Sequence, residues 1–186
     1  WLNKKEMFMK IKRILATVAM VAMVLLLPGC QSTKSITTVS DVDLERFMGD
    51  WYVIASIPTF IEKDAFNALE SYQLNADGTV ATTFTFNKGV FDGKLKTYRP
   101  KGFVVENTGN AVWKMQFVWP FKAEYRIVYL ADDYGQTVIG RSKRDYAWIM
   151  ARTPSIPEDD YDRILTFLKD QGYTLEDLRK VPHQEQ

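Results

Sequence analysis

Residues 113–119 read WKMQFVW and alternate large apolar side chains with lysine and glutamine. Successive side chains of a β-strand point to opposite faces, so this segment is predicted to be a strand with one face against a core. Similar alternation occurs at residues 81–86, 125–129 and 146–152. The pattern predicts an all-β domain.

The apolar runs between Trp51 and Arg152 are separated by turn residues about every ten positions, which is typical of an antiparallel meander. Turn sequences such as Ala76-Asp77-Gly78 and Thr108-Gly109-Asn110 lie between the runs. The runs give eight or nine strands, and they lie near residues 51–56, 70–75, 80–87, 94–98, 101–106, 112–118, 123–130, 136–140 and 145–151. Eight antiparallel strands that close into an up-and-down barrel leave room for one small ligand. We predict such a barrel over residues 42–154.

Two helical segments flank the predicted barrel. Residues 41–48 combine acidic residues with an apolar face at helical spacing, which predicts a short N-terminal helical turn that ends at Gly49. Residues 155–158 read Ser-Ile-Pro-Glu, a capping box, and an apolar stripe follows until Gly172. Because this second helix has one apolar face, residues 155–186 are predicted to form a helix packed outside the barrel and a polar tail.

The N-terminal segment has the features of a secretory leader. Basic residues from Met9 onward precede an uncharged stretch of about 14 residues, shorter than the about 20 that span a bilayer. The sequence Leu27-Pro28-Gly29-Cys30 then resembles a bacterial lipobox. We expect residues 1–29 to be a removed signal peptide and residues 30–41 to be a tether whose acylated Cys30 anchors the domain to a bilayer. The alternative is an ordinary signal peptide followed by a free thiol.

Composition excludes several classes of protein. The 186 residues contain one Cys and one His, Cys30 and His183, which argues against disulfides within the chain, a Cys/His metal site and a histidine-dependent triad. Without residues 1–29 the chain has 19 basic and 22 acidic residues and no basic run, so we predict no nucleic-acid partner.

Three blocks, in order, resemble the lipocalins: Gly49-Asp50-Trp51-Tyr52, then Asp132-Asp133-Tyr134, then residues 148–154, which read Trp-Ile-Met-Ala-Arg-Thr-Pro. The lipobox, the turn at residues 72–78 and the phenylalanine-rich segment 117–121 make the resemblance most specific to the bacterial outer-membrane lipoprotein lipocalins. The resemblance implies a calycin-type barrel. It also implies that Trp51 and Arg152 pack together at the closed end, near Gly49, with structural rather than catalytic roles.

Alternation extended from these anchors selects a candidate lining. Every second residue of a strand shares a face, so Val53 and Ala55 are predicted to point inward with Trp51. The same rule counted back from Arg152 gives the inward residues of the last strand. The predicted ligand-binding residues are aromatic, aliphatic or thioether-bearing, and they are Phe84, Phe86, Trp113, Met115, Phe117, Tyr125, Ile127, Tyr129, Tyr146, Trp148 and Met150. Such an uncharged lining suits an acyl chain, although the same side chains could fill a solid core. A charged head group could meet Arg99, Lys101 or Lys122.

The resemblance implies a lipid-binding protein of the outer membrane, facing the periplasm, that binds fatty acids such as palmitate or lysophospholipids for transport, storage or envelope maintenance. It is compatible with a homodimer. We expect no enzymatic activity, no metal and no required cofactor, since Cys30 is used for lipidation and His183 lies in the tail. Two alternatives stay open: a lipocalin-fold enzyme acting on a lipophilic substrate, and an envelope interaction scaffold. Haem binding through a tyrosinate also stays open.

Overall fold

The computed structural model describes residues 35–184, so the predicted signal peptide and Cys30 lie outside the described residues. The described chain forms ten strands and two helices in the order α1 (Leu44–Phe47), β1 (Gly49–Ile57), β2 (Ala65–Leu74), β3 (Thr79–Lys88), β4 (Leu95–Tyr98), β5 (Lys101–Val104), β6 (Val112–Val118), β7 (Phe121–Leu130), β8 (Gln136–Gly140), β9 (Ala147–Ala151), α2 (Glu158–Asp170) and β10 (Arg179–Lys180). No helix among these residues is long and apolar enough to cross a membrane.

The strands form a closed antiparallel barrel, as predicted. The strands pair in the order β1-β2-β3-β5-β6-β7-β8-β9, and β9 returns to pair with β1 between Tyr52 and Ile57. Strands β4 and β5 both pair with β3 and together occupy one position, so the barrel has eight positions. Pro100 separates them, as expected for a residue that cannot donate to a ladder.

Two cores flank the barrel wall. One lies inside the barrel and includes Trp51, Trp113 and Met150, all fully buried. The other lies outside, where Ile164 and Leu168 of α2 pack on the outward residues of β1, β7, β8 and β9. The outer position of α2 is therefore the predicted one, because its single apolar face has only the wall to bury against.

The start of α2 differs from the prediction in its cap. Pro157 occupies the position before the helix and no side chain caps the first turn, so the predicted capping box of Ser155 and Glu158 is not formed. The Ser155 carbonyl instead accepts a hydrogen bond from Thr153 Oγ1 at 2.7 Å. Three acidic residues in the first turn still match the helix dipole, and Gly172, with φ of +87°, follows the last turn.

The polypeptide on both sides of the barrel is more ordered than the sequence suggests. Ile36, expected in the flexible tether, is 5% exposed in the outer core, and the Val39 N–H donates to the Ile127 carbonyl at 3.0 Å. The polar tail instead returns as β10, which pairs with β1 at Ala55 and Ser56 where β2 has diverged. His183 Nε2 then lies 2.8 Å from the Val53 carbonyl oxygen. These segments are ordered because their apolar residues pack on the outer core and their backbone groups pair with backbone groups of β1 and β7.

Gly140 explains how the chain after α2 approaches β8. A Cβ atom at this position would lie 2.6 Å from the Tyr173 hydroxyl and 3.2 Å from Ile36 Cδ1. That hydroxyl accepts a hydrogen bond from the Arg141 N–H at 2.8 Å. A side chain at position 140 would therefore displace a hydrogen-bonded contact between the barrel and the segment after α2.

We expect Gly140→Ala to lower the free energy of unfolding by about 1–3 kcal/mol, the usual cost of overpacking a buried site. Urea unfolding followed by tryptophan emission measures this change. Tyr173→Phe removes the nearest of the atoms that the new Cβ would meet and leaves Ile36 Cδ1 at 3.2 Å and Val128 Cγ1 at 3.3 Å, so Gly140→Ala should cost less in that background. An equal cost in both backgrounds would contradict the proposed clash.

Candidate functional site

Arg152 and Trp51 lie at one end of the barrel and close it. The Arg152 Cζ atom lies 3.8 Å from the centroid of the Trp51 ring, the cation–π contact that the resemblance implied. The same guanidinium donates to the carbonyls of Asp50 at 2.7 Å and of Arg46, Phe47 and Met48 at 2.8 to 3.1 Å. These bonds fix α1 across the barrel end.

The side chain of Phe47 projects from α1 into the closed end. It is fully buried, and its ring lies 5.0 Å from Trp51, 5.8 Å from Tyr72 and 5.5 Å from Trp113, centroid to centroid. The short helix can hold this position because the Asp43 side chain accepts a hydrogen bond from the Arg46 N–H at 3.2 Å. Gly49, with φ of +91°, lets the chain turn from α1 into β1. The aromatic cluster makes this end solid.

A cavity of about 370 Å³ occupies the other half of the barrel. This volume lies within the range of small-molecule sites in proteins. The wall is mostly apolar, and its residues come from the β1–β2 loop and from strands around the barrel: Thr59, Phe60, Ile61, Glu62, Glu70, Thr82, Phe84, Tyr98, Pro100, Met115, Phe117, Val118, Ala123, Glu124, Tyr125, Ile139, Arg141, Tyr146 and Trp148.

The predicted binding residues divide into two groups inside the barrel. Those that line the cavity are Phe84, Met115, Phe117, Tyr125, Tyr146 and Trp148. Those that are buried beside it without lining it are Phe86, Trp113, Ile127 and Met150. Trp113, for example, stacks on Tyr125 with centroids 5.0 Å apart and belongs to the solid end. Phe86, Trp113, Ile127 and Met150 therefore belong to the solid core, the alternative that the sequence left open for the predicted lining.

Tyr129 was predicted inside the barrel and lies outside it. The pairing of β7 with β8 shifts by one residue between Ile127 and Tyr129, and such a bulge reverses the face of the residues that follow. The Tyr129 ring packs on Phe167 of α2 at 5.6 Å between centroids. A bulge after Val53 has the same effect in β1, so Ala55 lies in the outer core and not beside Val53.

The sequence analysis predicted an uncharged lining. The structure differs, because Glu70 lines the cavity. It pairs with Trp51 of β1 and Phe84 of β3, two residues that also point inward. Glu70 is half-buried and lines the cavity. Alternation from Tyr72, two residues along β2, is the sequence signal that could have found Glu70.

Glu70 belongs to a hydrogen-bonded chain of three side chains. The Tyr72 hydroxyl donates to Glu70 Oε2, and the Tyr72 and Tyr125 hydroxyl oxygens are 2.9 Å apart. Burial raises the pKa of Glu70 to about 7, an effect that the Tyr72 hydrogen bond opposes and the negative charge of Glu62 increases. Burial also raises the pKa of both tyrosines well above the usual value, so both hydroxyls keep their protons near neutral pH.

A second carboxylate, Glu62, lies at the open side of the cavity. Its side chain is 6% exposed and accepts hydrogen bonds from the Thr59 N–H at 2.9 Å and from Trp148 Nε1 at 3.2 Å. Burial raises the pKa of Glu62, and the two hydrogen bonds partly offset that effect. These contacts hold the β1–β2 loop against β9 and fix the Trp148 ring in the cavity wall.

None of the three basic residues proposed for a charged head group lines the cavity. Lys101 pairs instead with Asp77 at 3.1 Å, beside the β2–β3 turn. Lys122 Nζ lies 3.4 Å from the centroid of the Phe103 ring, and Arg99 is exposed. The basic residue in the wall is Arg141, whose Nη1 lies 3.4 Å from the Asp145 carboxylate.

Comparison with known proteins is consistent with this geometry. The family model described as "Lipocalin-like domain" matches residues 42–183. Temperature-induced lipocalin-1 of Arabidopsis thaliana is 30% identical over 80% of this chain and 83% of its own length. Outer membrane lipoprotein Blc of Citrobacter freundii is 28% identical over 89% of this chain and 95% of its own. The solved structure of insecticyanin from the tobacco hornworm Manduca sexta superposes with a TM-score of 0.64 at 15% identity, over 81% and 85% of the two chains.

We expect stability to depend on pH through Glu70. Its pKa rises from 4.5 in the unfolded chain to about 7 on folding. The protonated Glu70 side chain therefore contributes fully to the free energy of unfolding below pH about 4.5, and this contribution is lost as the pH rises to about 7. The loss amounts to about 3 kcal/mol. Glu70→Gln should remove this part of the pH dependence in urea unfolding between pH about 5 and 8. The exposed Glu176→Gln is the control, and equal pH slopes in all three proteins would contradict the expectation.

Proposed function

The chain belongs to the lipocalin-like family, and we propose that its barrel binds one elongated apolar ligand with an acyl or similar chain. The observation that carries this proposal is the cavity of about 370 Å³ with its aromatic and aliphatic wall. An apolar chain in this space would cover the apolar wall. Each methylene group that it moves from water into the cavity would contribute roughly 0.8 kcal/mol to the free energy of binding. One solid end and one open end allow entry from one side.

We further propose that the protein is an acylated lipoprotein of the outer membrane that faces the periplasm and carries or stores lipids. Relatives described as outer membrane lipoprotein Blc support the membrane location. Cys30 is the expected attachment point. Fatty acids and lysophospholipids are the ligands suggested by the family resemblance, and envelope maintenance is the proposed role. We assign a binding role and no catalytic one.

Exposed apolar side chains around the open end support contact with lipid. Phe60 is 82% exposed, Trp119 82% and Phe121 77%. Phe60 lies in the β1–β2 loop, Trp119 in the β6–β7 turn and Phe121 at the start of β7. Large exposed apolar patches mark interaction surfaces, and tryptophan is favoured at membrane interfaces. We propose that these three residues, the apolar rim, enter the surface of a bilayer while a ligand is exchanged.

Filling the cavity should abolish binding. Ala123 lines the cavity on β7, and Ala123→Phe places a ring in the space that the chain of a ligand would take. Titration with lysophospholipid, followed by tryptophan emission, to which Trp148 in the cavity wall contributes, should show affinity lower by at least about tenfold than in the wild type. Tyr129→Phe changes the outer face of the same strand and is the control. Unchanged affinity in Ala123→Phe would place the ligand outside the barrel.

Replacing Trp119 and Phe121, the two residues of the apolar rim that do not line the cavity, should slow exchange with membranes without changing the cavity. We expect Trp119→Ser with Phe121→Ser to reduce binding to phospholipid vesicles and to slow lipid transfer from them by about tenfold. Affinity for a monomeric soluble ligand should stay within about twofold of wild type, since neither residue lines the cavity. Vesicle binding equal to wild type, or burial of the rim in a homodimer, would contradict the membrane role.

A further inference from the structure

We propose that the inner end of the cavity recognises a positively charged, hydrogen-bond-donating group, an alkylammonium, at the end of the apolar ligand. The inference rests on the proposed function, since it requires that the barrel bind an apolar chain. It adds the head-group chemistry and the orientation, with the cation innermost, and it ranks ligands with an ammonium group above the fatty acids that the family resemblance suggested. The observations that carry it are the hydrogen bonds of Glu70, Tyr72 and Tyr125 and the unpartnered hydroxyl of Thr82.

Both tyrosine protons are used in hydrogen bonds within this cluster, so the atoms that remain available to a ligand are hydrogen-bond acceptors. With Glu70 ionised, Tyr72 must use its single proton in the bond to Glu70 Oε2. Tyr125 must then be the donor in the 2.9 Å contact between the two tyrosine hydroxyls, which uses its proton as well. Glu70 and Tyr125 both line the cavity. Glu70 Oε1 and the remaining lone pairs of Tyr125 are therefore acceptors that a ligand with N–H donors would satisfy.

Thr82 supplies an independent observation at the same place. Its side chain is 3% exposed, lines the cavity, and has an Oγ1 atom without a hydrogen-bond partner in the described protein. Thr82 pairs with Tyr72 across β2 and β3, so it is the diagonal neighbour of Glu70 on the inner face. A buried hydroxyl without a partner costs free energy, and a polar group of the ligand would remove that cost.

The charges in the wall favour a cation over an anion. In residues 35–184 no ion pair includes Glu62 or Glu70. The third carboxylate of the wall, Glu124, is paired with Arg126 at 2.8 Å. Arg141 Nη1 contacts Asp145, while Arg141 Nε is buried without a hydrogen-bond partner in residues 35–184, so the wall offers an anion one donor at Arg141 and offers a cation the acceptors of the Glu70 cluster. A ligand carboxylate near Glu70 would add a negative charge at low dielectric and would bring no donor, whereas an ammonium would neutralise the carboxylate.

The test compares three ligands that share one chain and differ in the head group: dodecylamine, dodecanol and dodecanoate. Each is titrated at pH about 8.5, where Glu70 is ionised and the amine is protonated. We expect dodecylamine to bind roughly tenfold or more tightly than dodecanol, and dodecanoate more weakly than dodecanol. Tryptophan emission reports binding, and competition with a fluorescent fatty amine gives the same order independently.

Variants assign the preference to the cluster. Glu70→Gln keeps the shape and removes the charge, and it should bring dodecylamine and dodecanol to within about threefold of each other. Tyr125→Phe removes one acceptor and should reduce the preference to a smaller extent. Glu176→Gln, on an exposed carboxylate, should keep it. The Tyr125→Phe result keeps the test decisive if Glu70→Gln fails to fold.

The outcomes separate this inference from the proposed function. Saturable binding of dodecanol with equal affinities for the amine and the acid would overturn the head-group assignment and leave the apolar site intact. A preference for the amine that persists in both Glu70→Gln and Tyr125→Phe would overturn the role of the cluster. Absence of saturable binding with all three ligands would overturn the proposed function together with this inference.

Discussion

The Arg152 guanidinium connects the last strand of the barrel to the segment before the first. It covers the Trp51 ring and donates to the carbonyls of residues 46, 47, 48 and 50, at the end of α1 and the start of β1. The Phe47 carbonyl also accepts a hydrogen bond from Trp51 Nε1 at 2.8 Å. The pairing of β1 with β9 closes the sheet into a barrel, and the contacts of Arg152 close one end of that barrel. Every property of the site follows from having one solid end and one open end.

The closed end also explains why a carboxylate can remain inside. Glu70 lies between the aromatic cluster and the cavity, where burial raises its pKa to about 7. A fully apolar residue at this position would cost less folding free energy at neutral pH, as the desolvation of a carboxylate is unfavourable. The tyrosines recover part of that cost by hydrogen bonding and, in doing so, direct their acceptors towards the space a ligand would occupy. A stability cost concentrated at one inward site is typical of a binding site.

Much of this arrangement could be predicted from the sequence, because alternation and three short blocks fix the strands, the closed end and six lining residues. The failures have a common physical cause. Alternation assigns a face only while the register is unbroken, and bulges near Ile54 and Val128 moved Ala55 and Tyr129 outside. Glu70 was missed because a glutamate in a strand is ordinarily read as solvated. The two-residue strand β10 and the docking of Ile36 depend on contacts that no local pattern encodes.

We propose above that the barrel holds one apolar ligand with its head group innermost. A crystal structure of the protein with a dodecylamine brominated at its terminal carbon tests this claim most directly, since anomalous scattering locates the bromine. We expect one bromine peak near Phe117 and Trp148 at the open side, with the amine nitrogen within hydrogen-bond distance of Glu70. A peak on the outer surface, or a nitrogen at the open end with the bromine beside Glu70, would contradict it.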